Sequence, residues 1–143
     1  RDFTTADEWH KKAIEAAPQE PWVWVSQAHC LEYQDRYEES LAMSRKAFEL
    51  KPWGRSSVGS LAHILTLLER YDEALALLTE ASNRLENAWI VKQLADLQTE
   101  LGLYKEAYAS LEKIVELTPM RVSGRLARMA LMTSIERDAW PNP

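Results

Sequence analysis

A spacing of 34 residues recurs along this chain, and it restricts the fold more than any other feature. Pro18 and Pro52 stand 34 apart, Tyr37 and Tyr71 stand 34 apart, and Tyr71 and Tyr104 stand 33 apart. A fixed period of this size marks chains in which one supersecondary unit is repeated and stacked. Such a unit cannot bury its apolar face alone, so neighbours supply the core for one another.

Three segments align on this period: RYEESLAMSRKAFELKP (36–52), RYDEALALLTEASNRLE (70–86) and LYKEAYASLEKIVELTP (103–119). Each carries a tyrosine, an acid two residues on, and a small residue one further on: Ser40, Ala74 or Ala107. Ala47, Ala81 and Ile114 follow ten residues after the tyrosine. Positions 0, +3, +7 and +10 share one face of an α-helix. The intervening segments, 21–34, 55–68 and 88–101, align as well. Their shared face is Trp24, Gln27, Ala28, Leu31; then Val58, Leu61, Ala62, Leu65; then Val91, Leu94, Ala95, Gln98. The small third residue lets a partner helix approach closely. Each unit is therefore two helices of about 14 residues joined by a short turn. Pro18, Pro52 and Pro119 end the second helices, because proline cannot continue the hydrogen-bond ladder. The unit ending near Glu86 lacks that proline and is one residue short, so its exit turn should differ.

These residues resemble the tetratricopeptide repeat (TPR) in period, in the large–x2–Leu–small first helix and in the Ala/Ser…Ala…Pro second helix. The resemblance covers about residues 4–136. It implies an all-α fold, a right-handed α-solenoid of stacked helix-turn-helix repeats. A half unit spans 4–18, full units span 21–54, 55–87 and 88–121, and a closing helix spans 122–136. All lie in a single domain, 1–143. Arg1 in place of Met and the ending Trp140-Pro-Asn-Pro143 point to a piece of a longer protein.

The resemblance also implies a function. First helices in this family line a concave groove that holds an extended peptide or short helix. The side of each first helix away from its packing face offers Trp22, Val25, Ser26, His29, Glu32 and Tyr33; then Ser56, Gly59, Ser60, His63, Thr66 and Leu67; then Trp89, Lys92, Gln93, Asp96, Thr99 and Glu100. Aromatic anchors in a polar surround suit protein recognition. The expected role is a scaffold or adaptor that binds a protein or peptide. Two other readings stand beside it: a regulatory or substrate-positioning domain of a larger enzyme, and a solenoid that self-associates through ends bearing Met132 and Trp140. One family subgroup grips chaperone C-terminal carboxylates with basic and amide side chains. Its slots here hold Val25, His29, Ser60, Lys92 and Asp96, of which only Lys92 fits, so a chaperone clamp is not expected.

Sharper chemistry finds little footing. His29 and His63 occupy equivalent slots with Asp96, but helix spacing of ~8–10 Å makes a shared metal a stretch. They read as groove residues. Cys30 lacks a nucleophile's companions and reads as a packing residue. The four glycines do not cluster into a phosphate loop. No catalytic residue, metal or cofactor is assigned, and an enzyme is not expected. Trp22, Trp53 and Trp89 stand at unit junctions and read as wedges between hairpins, with Trp22 and Trp89 able to edge the groove. The net charge of -5 disfavours general nucleic-acid binding. Arg121, Arg125, Arg128 and Arg137 make the closing helix basic, read as a solvated face or the start of a further interface. No apolar run is long enough to span a bilayer, so no membrane partner is expected. The single cysteine favours a reducing, cytoplasmic compartment.

This register makes Leu61 and Leu94 core. Leu61→Ala or Leu94→Ala should cost about 2–5 kcal/mol in chemical denaturation. A cost under 1 kcal/mol would show the register to be wrong.

Overall fold

The computed structural model describes residues 3–118 together with 129 and 132. Among them are seven α-helices and no strand: α1 Phe3–Ala16, α2 Pro21–Tyr33, α3 Tyr37–Leu50, α4 Arg55–Leu67, α5 Tyr71–Arg84, α6 Ala88–Glu100 and α7 Tyr104–Leu117. Each repeat is an αα-hairpin, as its spacing requires. The closing helix and Pro119 lie outside the described residues except for Met129 and Met132, both helical and exposed. The chain divides within α5, after Leu77, into two compact bodies.

In the first body α2 packs on α1, α3 and α4, and α3 packs on α4. In the second, α6 packs on α7 around Val91, Ala95, Ala107, Leu111 and Ile114. The small residues of the repeat lie where helices meet. Ala28, Ala62 and Ala95 are buried, as are Ser40, Ala74 and Ala107. Close approach is direct at one of them: Ser40 Oγ donates to the Ala28 carbonyl at 2.7 Å, bridging α3 to α2. Ser57 Oγ likewise donates from α4 to the Ala47 carbonyl of α3 at 3.2 Å. Tyr37, Tyr71 and Tyr104 are half-buried at the start of the second helices. Asp35 accepts from the Tyr37 hydroxyl at 2.9 Å, and this bond raises the phenol's pKa.

Every turn between the helices of a hairpin closes the same way. Asp35, Glu69 and Gly102 take positive φ of 58°, 58° and 74°. Arg36 N–H then donates to Leu31 C=O, Arg70 to Leu65, and Leu103 to Gln98. This is the six-to-one Schellman bond that satisfies the last carbonyls of a helix. In the first two hairpins the next helix opens on paired charges. Arg36 bonds Glu39 at 2.5 Å and Arg70 bonds Glu73 at 2.6 Å. The arginine bond is the main reason that each glutamate sits below its usual pKa range, with partial burial opposing.

The exit from the second repeat does differ. Asn87 caps α6 with its side chain, accepting from Trp89 N–H at 3.0 Å and Ile90 N–H at 3.3 Å. Helices α2, α3, α4 and α7 begin without such a bond. Asparagine at this position satisfies first-turn N–H donors that have no acceptor within the helix itself.

One pair of slots recurs where a second helix meets the next first helix. His10 on α1 faces Ser26 on α2 (Nε2 to Oγ, 3.0 Å), and Ser44 on α3 faces Ser60 on α4 (Oγ to Oγ, 2.8 Å). Since the Ala6 carbonyl can only accept, His10 Nδ1 donates to it at 2.7 Å, and the neutral ring's Nε2 accepts from Ser26. In the second body the corresponding residues are Leu78 and Gln93. Leucine offers no hydrogen bond, and Gln93 Oε1 is buried with none.

Two outcomes follow. A non-glycine residue in the left-handed region costs about 1–2 kcal/mol, so Glu69→Gly should stabilise by about 0.5–1 kcal/mol, while Gly102→Ala should destabilise despite the open space around it. Thermal melting checks both, and a lower Tm for Glu69→Gly would contradict the turn geometry. Ser44→Ala orphans the buried Ser60 hydroxyl and should cost about 1–3 kcal/mol. The double variant Ser44→Ala/Ser60→Ala should cost less than the two single changes added together, and strict additivity in a double-mutant cycle would count against the bond.

Candidate functional site

The exposed side of α2 carries Trp22, His29 and Tyr33 on one stripe, at helical spacing. Trp22 is 60% exposed and Tyr33 75%. Val25 and Ser26 lie between them, half-buried. Beside α2, α4 exposes His63 and Leu67. The two helices are joined at the surface by His63, whose Nε2 donates to Glu32 Oε1 at 2.8 Å. Only Nε2–H can make this bond to a carboxylate, which fixes the tautomer of the neutral ring. His63 is thus oriented by Glu32 rather than by His29. Among the described residues no three of His, Cys, Asp and Glu converge on one point. Cys30 is half-buried and accepts from Gln34 Nε2 at 3.3 Å.

Two residues expected on this surface are elsewhere. Ser60 is buried at 7% exposure and held by Ser44, and Gly59 is buried beside it. The reason is packing from two sides. Helix α4 meets both α2 and α3, so its buried sector includes Ser57, Gly59, Ser60 and Ile64 as well as the predicted Val58, Leu61, Ala62 and Leu65. A face opposite the core stripe is therefore narrower than helical periodicity alone suggests. Ser26 is only half-buried but is engaged by His10.

In the second body the corresponding surface of α6 carries Trp89, Lys92, Gln93 and Asp96. Trp89 is exposed, and Lys92 Nζ and Asp96 Oδ2 bind each other at 2.6 Å on the outside of the helix. Exposed pairs of this kind contribute little to stability, but they neutralise each other locally. Gln93 is half-buried. The junction tryptophans divide by role. Trp53 is half-buried edge-on to Phe48 of the preceding helix at 5.3 Å, while Trp22 and Trp89 face outward.

No helix among the described residues is long and apolar enough to cross a membrane. No curated protein sequence matches the chain. Its fold is similar to that of several solved structures. One is TTC0263, a thermophilic TPR protein of Thermus thermophilus (TM-score 0.77, 19% identity, 88% of this chain and 71% of that one). Another is YrrB, described as a TPR protein with an unusual peptide-binding site (TM-score 0.69, 23% identity, 87% of this chain and 65% of that one). A third is the first TPR of Spaghetti (RPAP3), bound to the HSP90 peptide SRMEEVD (TM-score 0.69, 17% identity, 82% of this chain and 94% of that one). At these identities the likeness establishes the fold: an all-α helical-repeat solenoid. Residues 23–52, 57–87 and 93–119 each match the sequence pattern of the tetratricopeptide repeat. Repeats of this family generally serve as non-enzymatic modules for protein interaction. By its three matched repeats and its helical hairpins, the chain belongs to the tetratricopeptide repeat family.

Proposed function

We propose that this chain is an adaptor that holds a peptide or protein partner against the exposed faces of its first helices. The observation that carries the reading is the stripe of Trp22, His29 and Tyr33 on α2, flanked by His63 and Leu67 on α4. Large side chains are rarely left in water in such a row without a use, and Trp and Tyr dominate the energetics of protein interfaces. Val25 lies between the anchors as an apolar contact. In the second body Trp89 is the corresponding anchor, with Lys92, Gln93 and Asp96 as polar neighbours. Ser26 and Ser60 do not contribute, since each is engaged within the fold.

The mode of binding differs from a carboxylate clamp. Among the clamp slots, Ser60 is buried and Lys92 is spent on Asp96. Val25 offers no polar atom, and Asp96 carries the wrong charge. A YrrB-like or Spaghetti-like ligand is thus not transferred to this chain; only the use of the surface is.

Affinity capture with the chain as bait, wild type against Tyr33→Ala and Trp22→Ala, tests the reading. Truncating an anchor should cost at least about 2 kcal/mol of binding, roughly thirtyfold, with melting unchanged because both residues are exposed. Partners retained equally by wild type and variants would refute it. The peptide SRMEEVD should bind no tighter than millimolar, and a micromolar affinity would restore the clamp.

A further inference from the structure

The three aromatic side chains of the α2 stripe share more than exposure. The Trp22 indole N–H, the Tyr33 hydroxyl and the His29 ring can each donate a hydrogen bond, and Trp22 can do nothing else. Among the described residues none of the three has a polar partner. Rings elsewhere are engaged. Trp24 Nε1–H donates to the Pro18 carbonyl at 2.9 Å, and the Tyr37 hydroxyl donates to Asp35 at 2.9 Å. His63, on the neighbouring helix, donates to Glu32 at 2.8 Å. The donors left unused are therefore those that face outward along one line. Charge is scarce beside them. Helix α2 contains no lysine or arginine, and its one carboxylate, Glu32, already accepts from His63.

Their spacing is as restrictive as their chemistry. Seven residues separate Trp22 from His29, and four separate His29 from Tyr33. Along the helix axis these are about 10 Å and about 6 Å. A polyproline II chain advances about 3.1 Å per residue, so three of its residues span about 9 Å and two about 6 Å. Residues i, i+3 and i+5 of such a chain come level with the three rings in turn.

We infer that this stripe binds a proline-rich segment of a partner protein in the polyproline II conformation. The inference rests on the stripe being the binding surface and adds the chemical class of its occupant. A proline-rich chain has carbonyls free of internal hydrogen bonds and few N–H groups. It brings acceptors to a surface of unused donors. Its pyrrolidine rings pack on aromatic side chains, as in other aromatic-lined grooves that take such segments. Other ligand classes fit less well. A helix keeps its carbonyls within its own ladder and leaves the three donors unmet. An extended strand carries as many N–H groups as carbonyls, and the carboxylate that could take them is occupied. An acidic ligand finds no cation on α2, and a basic one finds no free carboxylate. The rings also stand out from the surface instead of lining a deep pocket, so little area is buried on binding. A chain already held in its bound form loses the least freedom there.

The test is an NMR titration of the whole chain with capped hexaproline. It is read at the indole N–H of Trp22, identified by its loss in Trp22→Phe, and at the backbone amide of His29. Both should shift and saturate, while the indole of Trp53, packed on Phe48, stays in place. A capped Gly-Ser hexapeptide, equally long but flexible and rich in N–H groups, should bind at least about tenfold more weakly. Trp22→Phe and Tyr33→Phe keep a ring and remove a donor. Each should weaken hexaproline about threefold to tenfold, the worth of one net hydrogen bond, with Tm unchanged. Absence of saturating shifts, equal affinity for the Gly-Ser peptide, or unchanged affinity in both phenylalanine variants would overturn the inference. So would SRMEEVD binding as tightly as hexaproline. If hexaproline fails while a captured partner is lost in Trp22→Ala and Tyr33→Ala, the occupant is wrong and the surface stands. If that partner is retained as well, the surface falls with it.

Discussion

The structure depends on how closely its helices approach at Ala28, Ala62 and Ala95. Each is a position where a larger side chain would hold two helices apart. At Ala28 the gap is small enough for a serine hydroxyl on α3 to reach the backbone of α2. From this proximity follow the burial of the flanking leucines and valines, the covering of α4 from two sides, and the confinement of its exposed residues to a narrow strip. Apolar area sets the magnitude of the stabilisation, but the small residues decide whether that area can be brought together.

The sequence reveals much of this and conceals some of it, for physical reasons. Helix limits were legible because the tyrosine at each second-helix start and the prolines at Pro18 and Pro52 are local signals, independent of the rest of the fold. The short second repeat announced a different exit, and Asn87 makes it. Helical periodicity puts Ser60 on the open face, but its burial depends on a second neighbour, which the periodicity of a single helix does not reveal. Trp22 and Trp53 looked alike at junctions, yet only Trp53 has a ring to pack on, Phe48. Gln27 fitted its helical face but not the chemistry of that face. That discrepancy could have been found by comparing the three repeats slot by slot, since Leu61 and Leu94 stand in the equivalent places.

The surface that remains after packing is simple. On α2 and α4 it consists of two outward aromatic rings, two imidazoles and a leucine, with one imidazole tied to Glu32. On α6 it holds one indole and a self-neutralised ion pair, with Thr99 and Glu100 exposed at the helix end. Neither surface concentrates charge of one sign, so recognition there rests on shape and apolar contact, with hydrogen bonds to orient the ligand. This agrees with a module whose work is association.

The junction slots have a consequence for how such a chain finds its fold. Near-identical hairpins invite the wrong neighbours to dock, the characteristic failure of repeat proteins. Here the slots are not identical. His10 meets Ser26, Ser44 meets Ser60, and the pair farther on is Leu78 and Gln93. Were α5 to dock where α3 belongs, Leu78 would face the Ser60 hydroxyl and a buried hydrogen bond would be lost, at about 1–3 kcal/mol. The polar pairs thus act as addresses, giving each hairpin a preferred neighbour in a chain whose apolar pattern hardly distinguishes one from the next.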